Sequence, residues 1–241
     1  MTGEGGLMGG VSGRQYAAAA GALFVVLFVI AQLIQGDSPM LDDDPATIAA
    51  FFHDNHRALL VAAVLEGIAV ALLLTFTVGV ALMLRDAGHT TLGGVALAGG
   101  VAAAAIGGVV DGIFVGITQA VALEADPGVI RTLYDMDAFL TGRVFWVLLG
   151  LVLPLLLAGW RGALPRWTVW LNTIVAILFV LGGVSVKAQG AFSPYSAVPF
   201  LAFLAFLGFI LGTSVVLWRE PATGEARAAP GPTHALPGPG P

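Results

Sequence analysis

Six apolar stretches, each about as long as a membrane-crossing helix, constrain this chain more than any other feature of its sequence. A helix needs about 20 consecutive apolar residues to cross a bilayer. Only 10% of the residues are charged, which is too few to cover a surface that faces water. We therefore predict an all-α integral membrane bundle over residues 16–218. Its six transmembrane helices are expected at 16–35, 58–84, 92–122, 138–160, 167–187 and 196–218.

The two ends of the chain are expected to lie outside this bundle. Residues 1–15 are rich in glycine and form a flexible N-terminus on this interpretation. The following apolar run is of spanning length and lacks a small-residue cleavage motif, so we interpret it as an uncleaved first helix. Residues 219–241 are rich in proline and glycine and have no apolar period, which is typical of a disordered tail.

Basic residues near the ends of the spans predict the orientation. One side would carry Arg14, Arg85, Arg161, Arg166 and Arg219, and the other Arg57, Arg131 and Lys187. Loops with more Lys and Arg usually remain in the cytoplasm. We therefore expect both termini to be cytoplasmic.

Two external segments resemble each other at an offset of 82 residues: DPATIAAFFHDN from Asp44 and DPGVIRTLYDMD from Asp126. Asp followed by Pro is typical of a helix N-cap and its first turn. Apolar residues then follow at helical spacing and predict one apolar face for each segment. We expect two short external amphipathic helices and three helical hairpins, with chance recurrence of capping residues as the alternative. The apolar faces comprise Ile48, Phe51 and Phe52 in the first segment and Ile130, Leu133 and Tyr134 in the second.

The third predicted span has a small residue at every fourth position from Gly100 to Ala120. Small residues allow helices in lipid to approach closely. We therefore expect Gly108, Gly112 and Gly116 to pack against a neighbouring helix.

Ionisable residues within spans are costly and require a partner or water. Glu66 and Asp111 would lie about 12 Å and about 17 Å below the external ends of their helices, at 1.5 Å per residue. Arg143 would lie in the same half, with Thr118, Gln119 and Thr141 as neutral polar neighbours.

Three interpretations of these groups are open. In a functional cavity, Glu66 and Asp111 would bind protons or cations, with Arg143 as the counter-charge within bridging distance. Alternatively, the charges form a purely structural cluster, or Glu66 is neutral and hydrogen-bonded.

Several chemistries find no support in the sequence. The absence of cysteine removes disulfides and thiolate chemistry. The net charge of −5 and the absence of a basic patch argue against a nucleic-acid partner. His53 and His56 lack a third ligand at defined spacing, so we predict no metal site. Lys187 is interpreted as an interfacial lysine. No catalytic fingerprint is present, and we expect no cofactor and no catalytic residue.

The segments DPATIAAFFHDNHRALL, LYDMD and ALPRWTVW resemble uncharacterised bacterial multi-pass membrane proteins known only as a domain of unknown function. The resemblance covers roughly residues 15–218. It implies topology and residence in a bacterial plasma membrane, but no site residues.

Three functions are compatible with the sequence. The first is a non-enzymatic membrane protein that binds a lipid, a small ligand or a protein partner. The second is a proton- or cation-coupled transporter or channel that uses Glu66 and Asp111. The third is an enzyme acting on lipid head groups at the external face.

Overall fold

The fold of the chain, seen in a computed structural model, consists of seven helices in the part described, residues 12–185, 190–194 and 196–219. Six of these helices are long and apolar enough to cross a membrane, which confirms the predicted fold class. Residues 1–11, Lys187 and the tail beyond Arg219 lie outside the described residues. The helices are α1 (Gly13–Gln35), α2 (Pro45–Asp54), α3 (His56–Asp86), α4 (Thr90–Ala122), α5 (Pro127–Trp160), α6 (Arg166–Gly183) and α7 (Ala197–Arg219).

Side-chain caps fix the beginnings of three helices. Ser12 and Gln15 form a capping box, so α1 begins at Gly13 and the last residues of the predicted flexible N-terminus are helical. Asp44 accepts a hydrogen bond from the Ala46 amide at 2.8 Å, and Asp126 accepts one from the Gly128 amide at 2.8 Å. The two Asp–Pro signals therefore act as the N-caps that the sequence predicted.

The six long helices form a closed ring in chain order. Each packs against the next, and α1 packs against α7 to complete the ring. We call the end of the bundle that carries α2 the α2 side, and the end at which α1 begins and α7 ends the terminal side. On the terminal side, Arg14 and Asp86 join α1 to α3 by an ion pair of 2.8 Å.

The short helix α2 packs on α4 and α5 and forms a second apolar core on the α2 side. Ile48 and Phe52 are fully buried there, and Ile130 and Tyr134 of α5 are nearly so, which confirms the predicted apolar faces. Arg131 of α5 also donates hydrogen bonds to backbone carbonyls of Leu41 and Asp43, which tethers the loop between α1 and α2.

The second external segment is helical but does not form a separate helix. It is the first part of α5, which continues without a break to Trp160. In the first segment, by contrast, Asn55 separates α2 from α3, and its side-chain amide donates to the Phe51 carbonyl at 2.9 Å. The sequence prediction of two separate external helices was therefore wrong for the second.

The glycine prediction was also wrong in its position. Gly108, Gly112 and Gly116 are exposed, and a Cβ added at any of them would meet nothing within 4 Å. A stripe at every fourth residue advances by 400° per step at 100° per residue, and so rotates about 40° around the helix each time. It therefore begins in an interface, at Gly100, and leaves it by Gly108.

The close approaches of α4 occur at three earlier glycines: Gly93, which faces the Ala81 carbonyl of α3, and then Gly99 and Gly100. A Cβ on Gly99 would lie 2.5 Å from the Gly150 carbonyl carbon of α5. A Cβ on Gly100 would lie 2.3 Å from a methyl carbon of Thr77 on α3. The absence of side chains at these positions allows α4 to fit between its neighbours.

Candidate functional site

A cavity of about 150 Å³ lies inside the ring on the α2 side of its middle. Five of the six ring helices contribute to its wall. The acids Glu66 and Asp111 line this cavity together, as the functional interpretation of the sequence required. The lining consists of Phe24, Phe28, Glu66, Val70, Leu73, Ala103, Ala104, Gly107, Val110, Asp111, Thr141, Val144, Phe145, Leu148, Phe203 and Phe206.

The cavity has a polar end and an apolar end. Glu66, Asp111 and Thr141 are the lining residues closest to the α2 side along α3, α4 and α5. Leu73, Ala103 and Leu148 lie further towards the terminal side on the same three helices. The site is thus amphipathic along the bundle axis.

Two amide side chains of α1 hold Glu66 in place. The Nε2 groups of Gln32 and Gln35 donate hydrogen bonds to Glu66 Oε1 at 2.8 Å and 2.7 Å. Residues three apart on a helix share one face, so both glutamines reach the same carboxyl oxygen. A carboxylate can accept about four hydrogen bonds, and Glu66 therefore keeps acceptor capacity.

Asp111 is held less completely. Its Oδ1 atom is buried and accepts no hydrogen bond from any side chain or backbone group that the structure describes. Its Oδ2 atom lies 3.8 Å from the position that a Cβ on Gly67 would occupy, so α3 presents little bulk to it. Most buried polar atoms in proteins are paired, and an unpaired one costs about 1–3 kcal/mol. Asp111 thus presents an acceptor with no partner in the described protein.

Arg143 is not the counter-charge of these acids. Among the described residues, no ion pair joins it to Glu66 or Asp111. Its side chain is exposed, and its Nη1 donates to the Gly183 carbonyl at 2.9 Å, as does Trp146 Nε1 at 2.8 Å. Gly183 is the last residue of α6, so Arg143 satisfies a carbonyl at a helix end.

Helical geometry explains this error. Thr141 faces the cavity, and Arg143 follows two residues later, which is about 200° around α5 at 100° per residue. Similar depth in the membrane did not imply a shared face.

The other predicted polar groups also lie outside the cavity. Thr118 is buried, but its hydroxyl donates to the Phe114 carbonyl of its own helix at 2.9 Å. Gln119 is exposed. Of the three neutral groups predicted for this region, only Thr141 lines the cavity, and its hydroxyl donates to the Asp137 carbonyl at 2.9 Å.

Three polar residues near the acids were missed. Gln32 and Gln35 were overlooked because their partner lies on another helix. Asp137 was not among the predicted site residues, although its side chain is buried and lies close enough to Glu66 to interact electrostatically. Asp137 precedes Thr141, Val144 and Phe145 by four, seven and eight residues, and this spacing places all four on one helical face.

His53 and His56 line a surface groove with Glu124 at the α2 side. His53 Nδ1 lies 3.1 Å from Asp54 Oδ1, and both side chains are largely exposed. No group of three or more potential metal ligands assembles among the described residues.

Comparisons of the chain with protein-family models, with curated proteins and with solved structures gave no match. The fold and the site themselves define the class of protein: an α-helical bundle with six helices long and apolar enough to span a membrane and an amphipathic cavity among them. The resemblance to uncharacterised bacterial membrane proteins stays a prediction.

Proposed function

We propose that this protein is a non-enzymatic membrane protein that binds a small, partly apolar ligand in the cavity between its helices. The observation that carries the proposal is the cavity itself. It places two carboxyl groups at one end and phenylalanine and aliphatic side chains over the rest. Ligand sites are typically concave and mostly apolar, with a few convergent polar groups that fix orientation.

The size of the cavity limits the ligand. A cavity of about 150 Å³ lined by aliphatic and aromatic side chains is large enough to bind benzene in another protein. We therefore expect a ligand, or the buried part of a larger ligand, of about one aromatic ring.

Two adjacent glycines of α4 provide a matched test. Gly107 lines the cavity, whereas Gly108 points into open space. Gly107→Leu should fill the site, and Gly108→Leu makes the same chemical change on the outer face. The probes are benzyl alcohol, benzylammonium and benzoate, which share one ring and differ in charge.

Thermal stability of the purified protein should be measured with each probe at pH 7. At least one probe should raise the Tm of the wild type and of Gly108→Leu but not that of Gly107→Leu. If no probe distinguishes the two variants, the cavity is not a ligand site. Partition of a probe into detergent affects both variants equally and cannot produce the difference.

A second candidate is a proton- or cation-coupled transporter, favoured because Glu66 and Asp111 line one cavity within the membrane-spanning helices. Liposomes that contain the protein and a pH-sensitive dye should then leak protons under an imposed membrane potential. Asp111→Asn should slow the leak. Equal rates for the wild type, the variant and empty liposomes would exclude this function.

We propose residence in a bacterial plasma membrane on the resemblance given above, and we propose that the terminal side lies in the cytoplasm. Support comes from the excess of arginine near the helix ends on that side, where Arg85, Arg161 and Arg166 flank the loops. A reporter that is active only outside the cytoplasm, fused after Arg219, should stay silent. An active reporter would reverse the orientation.

A further inference from the structure

We propose that the ligand of this cavity is a small organic monocation: a primary ammonium group on an apolar body of about one ring. The inference rests on the proposed ligand-binding function and names the chemistry that the site selects. It follows from the charge of the polar end, the nature of the walls and the number of oxygen ligands.

The charge of the polar end favours a cation. Glu66 and Asp111 both line the cavity, and no Lys or Arg among the described residues lies within ion-pair distance of either. Gln32 and Gln35 donate hydrogen bonds to Glu66 but bring no charge. Where either acid is ionised, a ligand carboxylate would meet like charge, whereas an ammonium group would meet opposite charge.

Hydrogen-bond capacity points to an ammonium group in particular. An ammonium group has three N–H donors and no acceptor. Asp111 Oδ1 is buried and accepts no bond from the described residues, and Glu66 retains acceptor capacity. The donors of the ligand are thus complementary to the acceptors of the site. Charge-assisted hydrogen bonds of this kind are stronger than hydrogen bonds between neutral groups.

The walls favour an organic cation over a metal ion. Calcium takes six to eight oxygen ligands, and magnesium requires near-octahedral oxygen coordination. Two carboxylates and one hydroxyl among apolar side chains do not provide such a shell. Five phenylalanines line the cavity instead, and aromatic faces attract cations and cover apolar groups. These rings belong to Phe24, Phe28, Phe145, Phe203 and Phe206.

The experiment compares ligands of one shape and three charges on the unaltered full-length protein. Equilibrium binding of radiolabelled benzylammonium should be measured in nanodiscs of zwitterionic lipid, with benzyl alcohol and benzoate as competitors. Benzylammonium should bind at least about tenfold more tightly than benzyl alcohol, the value expected for one charge-assisted hydrogen bond. Benzoate should compete least.

Substitutions of the two acids test whether they cause the preference for a cation. Asp111→Asn and Glu66→Gln should each lower benzylammonium affinity by about tenfold or more and leave benzyl alcohol affinity nearly unchanged. Asp37→Asn is the control, because Asp37 is an exposed acid outside the cavity. Gly107→Leu should abolish binding, and Gly108→Leu should retain it.

The outcomes separate this inference from the function on which it rests. If benzyl alcohol or benzoate binds as tightly as benzylammonium at a site lost in Gly107→Leu, the cavity is a ligand site but the cation assignment is wrong. If no probe binds in a manner sensitive to Gly107→Leu, both proposals fail. If an acid variant does not fold, the comparison of the three probes on the wild type still tests whether the site prefers a cation.

Discussion

The contact between α4 and α5 at Gly99 and Gly150 gives a sharp prediction about stability. A Cβ on Gly99 would lie 2.5 Å from the Gly150 carbonyl carbon, 2.7 Å from its Cα and 2.8 Å from the Leu151 nitrogen. Ordinary van der Waals contact begins at 3.4 Å, so the shortfall is 3.4 − 2.5 = 0.9 Å. The neighbouring atoms are backbone atoms, which cannot rotate away, so one helix must move.

Gly99→Ala should therefore destabilise the bundle relative to a matched variant. Overpacking of a well-packed interface costs about 1–3 kcal/mol. Alanine is also a better helix former than glycine by about 1 kcal/mol, and this term opposes the loss. Gly108→Ala gains the same helix propensity without the clash, because a Cβ there meets nothing within 4 Å. The difference between the two variants thus isolates the steric cost.

Reversible unfolding in mixed detergent micelles measures this difference. The free energy of unfolding of Gly99→Ala should lie about 1–3 kcal/mol below that of Gly108→Ala. Gly150→Ala should behave like Gly99→Ala, since its Cβ would lie 2.9 Å from the Gly99 Cα. Equal stability of Gly99→Ala and Gly108→Ala would refute the close crossing of α4 and α5.

Three further predictions address other contacts. Arg143→Met should lower the free energy of unfolding by about 1 kcal/mol, because it removes a hydrogen bond to the end of α6. The same variant should bind benzylammonium as the wild type does, and a loss of binding would place Arg143 in the site. Asp44→Ala and Asp126→Ala should each cost about 1 kcal/mol in the same unfolding assay through loss of an N-cap, and no effect in either would contradict the capping geometry. Gly112→Leu should leave the Tm in detergent nearly unchanged because its Cβ faces open space, so a large drop would restore the original packing prediction.

Sequence reasoning recovered the elements of this fold because their signals are local. An apolar run of spanning length predicts its helix without knowledge of any neighbour. All six spans were found, five of them with bounds within a few residues, whereas α5 begins at Pro127, well before the predicted start at 138. The Asp44 and Asp126 caps were recovered for the same reason, since an N-cap bonds to an amide two residues away. The single-residue break at Asn55, and its absence in α5, depend on packing against other helices and could not be predicted in this way.

The site was recovered only in part because its partners lie on different helices. Depth along each helix placed Glu66, Asp111 and Arg143 in one half of the membrane, but depth carries no information about rotation around the helix axis. The rotation of α5 could have been obtained from the apolar period of Thr141, Val144, Phe145 and Leu148, which all line the cavity. That period excludes Arg143. The link from Gln32 and Gln35 to Glu66 required the pairing of α1 with α3 to be known.

The closed ring of helices supports the proposed ligand binding more than the alternative of transport. Tilted or edge-on phenylalanine rings connect α1, α7, α6 and α5, with centroid distances of 5.5 Å for Phe24–Phe206, 6.2 Å for Phe179–Phe206 and 5.5 Å for Phe145–Phe179. Phe24, Phe145 and Phe206 also line the cavity, so a ligand within it contacts this chain of rings directly. Binding at Glu66 and Asp111 does not require these rings to separate, whereas passage between the rings towards the terminal side would require it. Packed aromatic pairs stabilise a protein by more than their buried area accounts for. Separating the rings therefore costs free energy that ligand binding alone does not require.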